Sequence, residues 1–302
     1  MYSAIQKNKR NTTIIIMAFI LFFTGVSLVV DYYMKSYWPT VYILGFVFVF
    51  TMVQYFFAAR MAMGLAGGKE ITKEDNPRLW RTVENLAIAE GMPMPRVFII
   101  EDDSLNAFAT GRDPEHALVA STTGLLKVTE KFELEGVMAH ELSHVKNYDI
   151  RVTMIVFGLV GAFAALAQAC FLFALGVFGG GKRGRSGFTT ILFFPLSIVL
   201  LAVGIVAGFI AFVVGPFVTS GVSRQREYLA DATGALMTRH PEGLMSALHK
   251  LETSPPAVRR NRATAAMYFE YPYKRGFFSR VLSSHPPTDK RIDRLAQMSG
   301  RF

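Results

Sequence analysis

The chain has 302 residues, 51% of them hydrophobic, with a mean hydropathy of +0.31 and a formal net charge of +9. Soluble proteins are rarely so apolar, so the length does not translate into two soluble domains; basic excess here points to cytoplasmic loops and anionic lipid headgroups rather than to nucleic acid, for which no motif is present. The single cysteine, Cys170, excludes an intramolecular disulfide and falls in an apolar run, where a buried thiol is expected.

Lys7, Lys9 and Arg10 precede an uncharged run from Asn11 to Val30, long enough to span a bilayer. No small-residue cleavage site follows it, which favours a membrane helix over a signal peptide. The polar link Asp31 to Pro39 leads to a second uncharged run, Thr40 to Ala59. Together they predict an N-terminal membrane hairpin over residues 1–60, its N-terminus on the cytoplasmic side by the basic cluster.

Residues 61–151 are charged and punctuated, and read as the first part of a catalytic domain. Asn76-Pro77 predicts an N-cap with proline at the first helical position, and Gly91 predicts the end of that helix. Arg96 to Glu101, Asn106 to Thr110 and Ala117 to Ser121 read as short strands, the last two separated by a turn at Gly111 to Pro114. Asn106, Ala107, Phe108 and Ala109 are the candidate substrate-binding edge, where an extended peptide could add a strand to the sheet.

His140-Glu141-Leu142-Ser143-His144 is H-E-x-x-H. Thr129 is the expected N-cap, and Phe132, Leu134, Val137, Met138 and Leu142 form an apolar stripe at helical spacing, interrupted only by Gly136. On a helix, His140 and His144 project from one face and can share one metal ion. Glu141 is displaced by about 100° at roughly 3.6 residues per turn, so it reaches water at the metal instead of the metal, as a general base requires.

Residues 152–220 hold two further uncharged runs, Val152 to Gly181 and Ser186 to Ser223, which predict a second hairpin disturbed by Pro195 and Pro216 and broken by the basic stretch Lys182 to Arg185. Residues 221–302 read as the second part of the catalytic domain. A hydrolytic zinc site needs three protein ligands and an open position. The extended motif with a third histidine is excluded, because its glycine position is Asn147 and its last ligand position is Ile150. Arg226-Glu227-Tyr228-Leu229-Ala230-Asp231 supplies Glu227 as third ligand and, on the same helical face, Asp231 to accept the N–H of a ligating histidine. Asp149 is the rival carboxylate, although it follows His144 closely on the same helix. From Ser254 to Phe302 ten Lys or Arg face three Asp or Glu, an excess suited to anionic lipid or to plain solvent. Within that tail His285 is bracketed by Pro286-Pro287 and by Thr288, the expected N-cap of a final helix. That setting makes it a candidate donor to an oxyanion, against a role in packing.

H-E-L-S-H after Glu135-Gly136-Val137, the segment Asn106 to Gly111, Arg226 to Asp231, and Ser284-His285-Pro286-Pro287-Thr288 together resemble the HtpX membrane proteases, bacterial and archaeal relatives of the type I CaaX prenyl protease. The resemblance covers nearly the whole chain, including the four apolar runs. It implies an α+β gluzincin-like catalytic domain, a small sheet beside the H-E-x-x-H helix, on a predominantly helical membrane anchor of about four helices. It further implies one zinc ion per chain on His140, His144 and Glu227, with Glu141 catalytic. The expected setting is the plasma membrane, catalytic domain facing the cytoplasm, with misfolded membrane proteins as polypeptide substrates. The basic Lys182 to Arg185 loop departs from the expected topology, because two crossings would put it outside. Three other readings remain in play. An intramembrane metalloprotease would place its motif in an apolar span, whereas Glu133, Glu135, Lys146 and Asp149 flank this one. A zinc-stabilised scaffold has no use for Glu141. CaaX-type processing is separated only by the overall likeness.

Overall fold

The computed structural model describes residues 2–178, 187–253 and 286–299. His285, the Lys182 to Arg185 stretch and most of the basic tail lie outside the described residues. In chain order the elements are α1 (Tyr2–Met34), α2 (Trp38–Leu65), β1 (Gly68–Glu70), α3 (Pro77–Ala89), β2 (Arg96–Ile100), β3 (Ala107–Gly111) and β4 (Ala117–Thr122). They continue with α4 (Thr123–Val128), α5 (Lys131–Lys146), α6 (Asp149–Phe178), α7 (Gly187–Phe209), α8 (Gly215–Thr238), α9 (Pro241–Thr253) and α10 (Thr288–Ala296). The chain forms two compact units, one from residues 11–55 and 155–218, the other from residues 1–10, 56–154 and 219–302.

In the first unit, composition dictates long helices. Among the described residues, four stretches are apolar and long enough to cross a membrane: Ile5–Met34, Trp38–Leu65, Asp149–Val177 and Phe194–Val214. The shortest has 21 residues. At about 1.5 Å per residue it covers about 32 Å, against about 30 Å of bilayer hydrocarbon. Leu21, Phe46, Phe48, Leu172 and Phe212 lie exposed, as side chains facing lipid do. Phe19 packs edge-on to Phe163, ring centroids 5.5 Å apart, among Ala162, Ala167, Ala207 and Ala211. Small residues let membrane helices approach closely. At Gly204 an added Cβ would lie 2.8 Å from that of Cys170, so the buried thiol packs at a helix contact. A π-helical turn, Ile210–Val214, precedes Gly215-Pro216; the wider turn accommodates a proline that has no N–H to give.

The second unit carries a small mixed sheet in the order β1-β2-β4-β3, with β2 parallel to β4 and the outer strands antiparallel to their neighbours. β3 is therefore an edge. Leu79, Val83 and Leu86 of α3, Val97, Val119, and Leu134, Val137, Met138 and Leu142 of α5 meet in one core with Leu244, Leu248 and Leu251 of α9 and Leu295 of α10. Asn76 caps α3 by accepting the Leu79 N–H at 2.9 Å, and Gly91 follows the helix with φ +62°.

Three local expectations give way. The N-cap of α5 is Glu130, whose N–H donates to the Glu133 carboxylate at 2.6 Å. Thr129 closes α4 instead, because its hydroxyl is spent on the Leu125 carbonyl at 2.8 Å. Phe132 is exposed and stacks on His240 at 4.9 Å between ring centroids. Thr288 is the first residue of α10, with Pro287 as N-cap. β1 has no counterpart in the sequence reading. It is three residues long, and Glu70 is held by the guanidinium of Arg96 on β2 rather than by apolar alternation.

Gly136 lets α5 and α9 touch through their backbones. A Cβ there would sit 2.6 Å from the Leu244 nitrogen and 2.9 Å from its Cα. Alanine gains about 1 kcal/mol over glycine in a helix interior, but overpacking costs about 1–3 kcal/mol, and backbone atoms cannot step aside as a side chain can. Gly136→Ala is therefore expected to lower the Tm in detergent. Gly161→Ala, whose Cβ would meet nothing within 4 Å, should leave it unchanged or raise it. An unchanged Tm for Gly136→Ala would show that α9 is free to move.

Candidate active site

α5 turns His140 and His144 to the same side, their Nε2 atoms 3.2 Å apart. α8 brings Glu227 between them, with Oε2 3.5 Å from His140 Nε2 and Oε1 3.5 Å from His144 Nε2. Among the described residues these three form a group able to hold a metal ion, their ligand atoms all within 4.8 Å of one another. Ligand atoms about 2.0–2.1 Å from a tetrahedral zinc stand about 3.4 Å from each other. The spacings, and a donor set of two imidazoles and a carboxylate, fit one such ion.

Each imidazole is engaged from behind. Asp231 Oδ1 lies 2.9 Å from His140 Nδ1, and Asp149 Oδ2 lies 3.1 Å from His144 Nδ1. A carboxylate on Nδ1 keeps the proton there and leaves the Nε2 lone pair for a metal. Asp149, the rival third ligand in the sequence, thus stands on the far side of His144 from Glu227. Asp231 is gripped by Arg291 of α10, with Nε on Oδ2 at 2.9 Å and Nη2 on Oδ1 at 2.7 Å. Burial opposes ionisation of Asp231, but the Arg291 charge and the His140 hydrogen bond outweigh it and hold its pKa below the ordinary carboxylate value. Sequence reasoning misses Arg291, one basic residue in a basic tail. Its placement sixty residues after Asp231, in no motif, leaves hardly a signal beyond its position on the apolar side of a short amphipathic helix.

Glu141 is buried and outside the ligand group; its Oε2 accepts the Ala109 N–H of β3 at 2.9 Å. That N–H points away from β4, because Asn106 and Thr122 pair on the opposite parity of the strand. The structure thus brings His140, Glu141, His144, Glu227, Asp231 and Ala109 together. Of the other edge residues, Ala107 is buried against the core, Phe108 is buried, and Asn106 turns its side-chain oxygen onto the Ala107 N–H at 3.1 Å.

The sequence pattern of Peptidase family M48 matches residues 73–299. The chain is 47% identical to the "Protease HtpX homolog" of Tropheryma whipplei (strain Twist) over 100% of both chains. It is 40% identical to that of Lactobacillus acidophilus, over 99% of this chain and 100% of the relative. Among solved structures it is similar to the crystal structure of S. mikatae Ste24p, with a TM-score of 0.51 and 21% identity, over 95% of this chain and 64% of that longer one. That likeness is one of fold.

Removing one partner of a buried ion pair leaves the other charge stranded, at a cost of about 3–5 kcal/mol. Arg291→Met should therefore destabilise the protein by about that amount in denaturant titrations, and Arg291→Lys, which cannot grip both oxygens, by an intermediate amount. With the folded pKa of Asp231 lowered from 3.8, the stabilisation is complete above that pH and fades only as pH falls below it. A loss under about 1 kcal/mol at neutral pH would mean that Asp231 is held without Arg291.

Proposed function

The chain belongs to peptidase family M48 and is a membrane metalloprotease, and from that premise we propose that His140, His144 and Glu227 hold one zinc ion per chain while Glu141 serves as general base. The observation that carries the proposal is the convergence of three ligand atoms at tetrahedral spacing, with Glu141 beside them and not among them. Bound there, zinc supplies Lewis acidity at the scissile carbonyl and eases ionisation of water. Glu141 takes the proton of the attacking water and hands it to the leaving amine. Asp231 and Asp149 hold the imidazoles in the required tautomer. This is the gluzincin arrangement of a motif helix and a later glutamate. His285, the residue just ahead of the described stretch that begins at Pro286, is the proposed hydrogen-bond donor to the oxyanion.

The polypeptide lies extended along the outward edge of β3, at Asn106, Ala107, Phe108 and Ala109. Main-chain pairing there tolerates many sequences but needs a locally unfolded strand. Misfolded or damaged membrane proteins meet both conditions for an enzyme that shares their bilayer, so a role in protein quality control follows. Lys7, Lys9 and Arg10 favour a cytoplasmic N-terminus in the plasma membrane, and the basic balance favours anionic headgroups. α6 and α7 lie between the two catalytic segments in the chain, and two full crossings by them would return it to the cytoplasmic side.

Three variants separate the parts. Glu141→Gln should keep zinc and lose about 10²–10⁴-fold in turnover of a detergent-solubilised, unfolded membrane protein. Glu227→Ala should lose zinc, and Ala109→Pro, without the outward N–H, should raise KM. Near-normal turnover by zinc-loaded Glu141→Gln would overturn the mechanism.

Orientation is read by labelling a cysteine at Ser186 in a Cys170→Ala background. Two full crossings with a cytoplasmic catalytic unit predict modification by an impermeant reagent in intact cells. Labelling only after lysis would show that the second hairpin does not span.

A further inference from the structure

The first ten residues belong to the same compact unit as the ligand group, and one of their side chains reaches the carboxylate behind a zinc ligand. Asn8, 5% exposed, lies on α1 just ahead of the uncharged run. Its Nδ2 donates to Asp149 Oδ1 at 2.7 Å and to the Asn147 carbonyl at 2.9 Å. The other oxygen of Asp149 faces His144 Nδ1 at 3.1 Å. The neighbouring contacts fix the same corner. Lys9 Nζ lies 4.7 Å from the centre of the Tyr148 ring, and the Arg151 guanidinium lies 5.0 Å from it. Tyr148 itself turns the chain from α5 into α6 with φ +61°.

A carboxylate is free to swivel about its last torsion, a broad and nearly two-fold rotor. To aim one oxygen at His144, Asp149 needs its other oxygen held. Asp231, its counterpart behind His140, is held by the two-pronged grip of Arg291. Arg226 pairs with Asp149 Oδ1 at 3.6 Å, and Asn8 gives the same oxygen a short directional bond at 2.7 Å. We propose that Asn8 is a positioning residue for the metal site. Acting through Asp149, it fixes the orientation of His144 and makes the start of the first membrane helix part of the zinc-binding apparatus. Zinc retention then depends on how that helix start is seated.

The inference rests on His144 being a zinc ligand, and the test separates the two. Full-length enzyme in detergent is titrated with zinc against a chromophoric chelator, and the cobalt-substituted protein is followed by its visible ligand-field bands. Asn8→Ala and the isosteric Asn8→Asp, which keeps the shape and removes the donor, should each weaken zinc binding by about 3–30-fold and shift the cobalt bands. That is less than the roughly 10–100-fold typical of a group touching the ligand itself, for which Asp149→Ala is the reference. In the Asp149→Ala background, Asn8→Ala should add nothing, because the two act in series. Unchanged zinc affinity and cobalt bands in Asn8→Asp overturn the inference, as does an equal loss with and without Asp149, which would make Asn8 a prop for the Asn147 carbonyl. If the wild type binds no zinc that His144→Ala loses, the ligand assignment fails, and this inference with it.

Discussion

An imidazole with no solvent exposure is tolerable only with both ring nitrogens engaged, and His140 imposes that condition on the whole catalytic unit. Its Nδ1 takes Asp231, Asp231 takes Arg291, and Arg291 is itself buried on the last described helix. Imidazole, carboxylate and guanidinium thereby tie α5, α8 and α10 into one body, each member held by the next. Glycine makes the closeness possible. At Gly234 on α8 a Cβ would lie 3.0 Å from the His140 nitrogen, and at Gly243 a Cβ would lie 2.3 Å from the Phe132 carbonyl oxygen. The polar chain and the backbone contacts depend on each other. Helices pushed apart by one methyl group would leave an ion pair stretched in a medium where stretched pairs are costly.

The membrane segments interrupt this body instead of flanking it. His144 is followed after four residues by the start of α6, and Asp149, which faces His144, is the first residue of that helix. Glu227 is carried by α8, which begins at Gly215 directly after the π-helical turn. Two of the groups that surround the metal site are thus covalently continuous with apolar helices. A regular helix transmits a displacement along its axis with little loss, whereas a loop absorbs it. Four residues separate His144 from the start of α6, so the histidine and the carboxylate behind it share one short stretch of chain.

How much of this is legible in the sequence depends on whether a residue's neighbours in space are also its neighbours in the pattern. His140 and His144 are four apart, as are Glu227 and Asp231, so helical periodicity alone puts each pair on one face. The capped start of α3, the three longer strands and the apolar runs are legible for the same reason. Arg291 is not, because its partner lies sixty positions away and the surrounding tail is basic; charge counting reads such a residue as solvated. Asn8 hides among Lys7, Lys9 and Arg10, where a polar residue passes for part of a headgroup anchor. Gly136 reads as a flaw in the motif helix until the α9 backbone is seen against it. Thr129 is misread because two helices compete for one hydroxyl, and the earlier one takes it.

Under the proposed mechanism Glu141 is a carboxylate kept available without becoming a ligand. One residue on from His140, it is rotated off the face that the two histidines share, and the nearest donor is the Ala109 N–H of an edge strand. Among the described residues a single neutral hydrogen bond holds its direction, unlike Asp231, whose two oxygens are both taken by Arg291. The contrast fits two tasks. A carboxylate that orients a ligand works best when saturated, and one that carries a proton works only when it is not. Under the proposed mechanism the same N–H also belongs to the strand edge offered to substrate. An arriving polypeptide then competes for the group that steadies the base, so productive binding and the freeing of Glu141 become a single event.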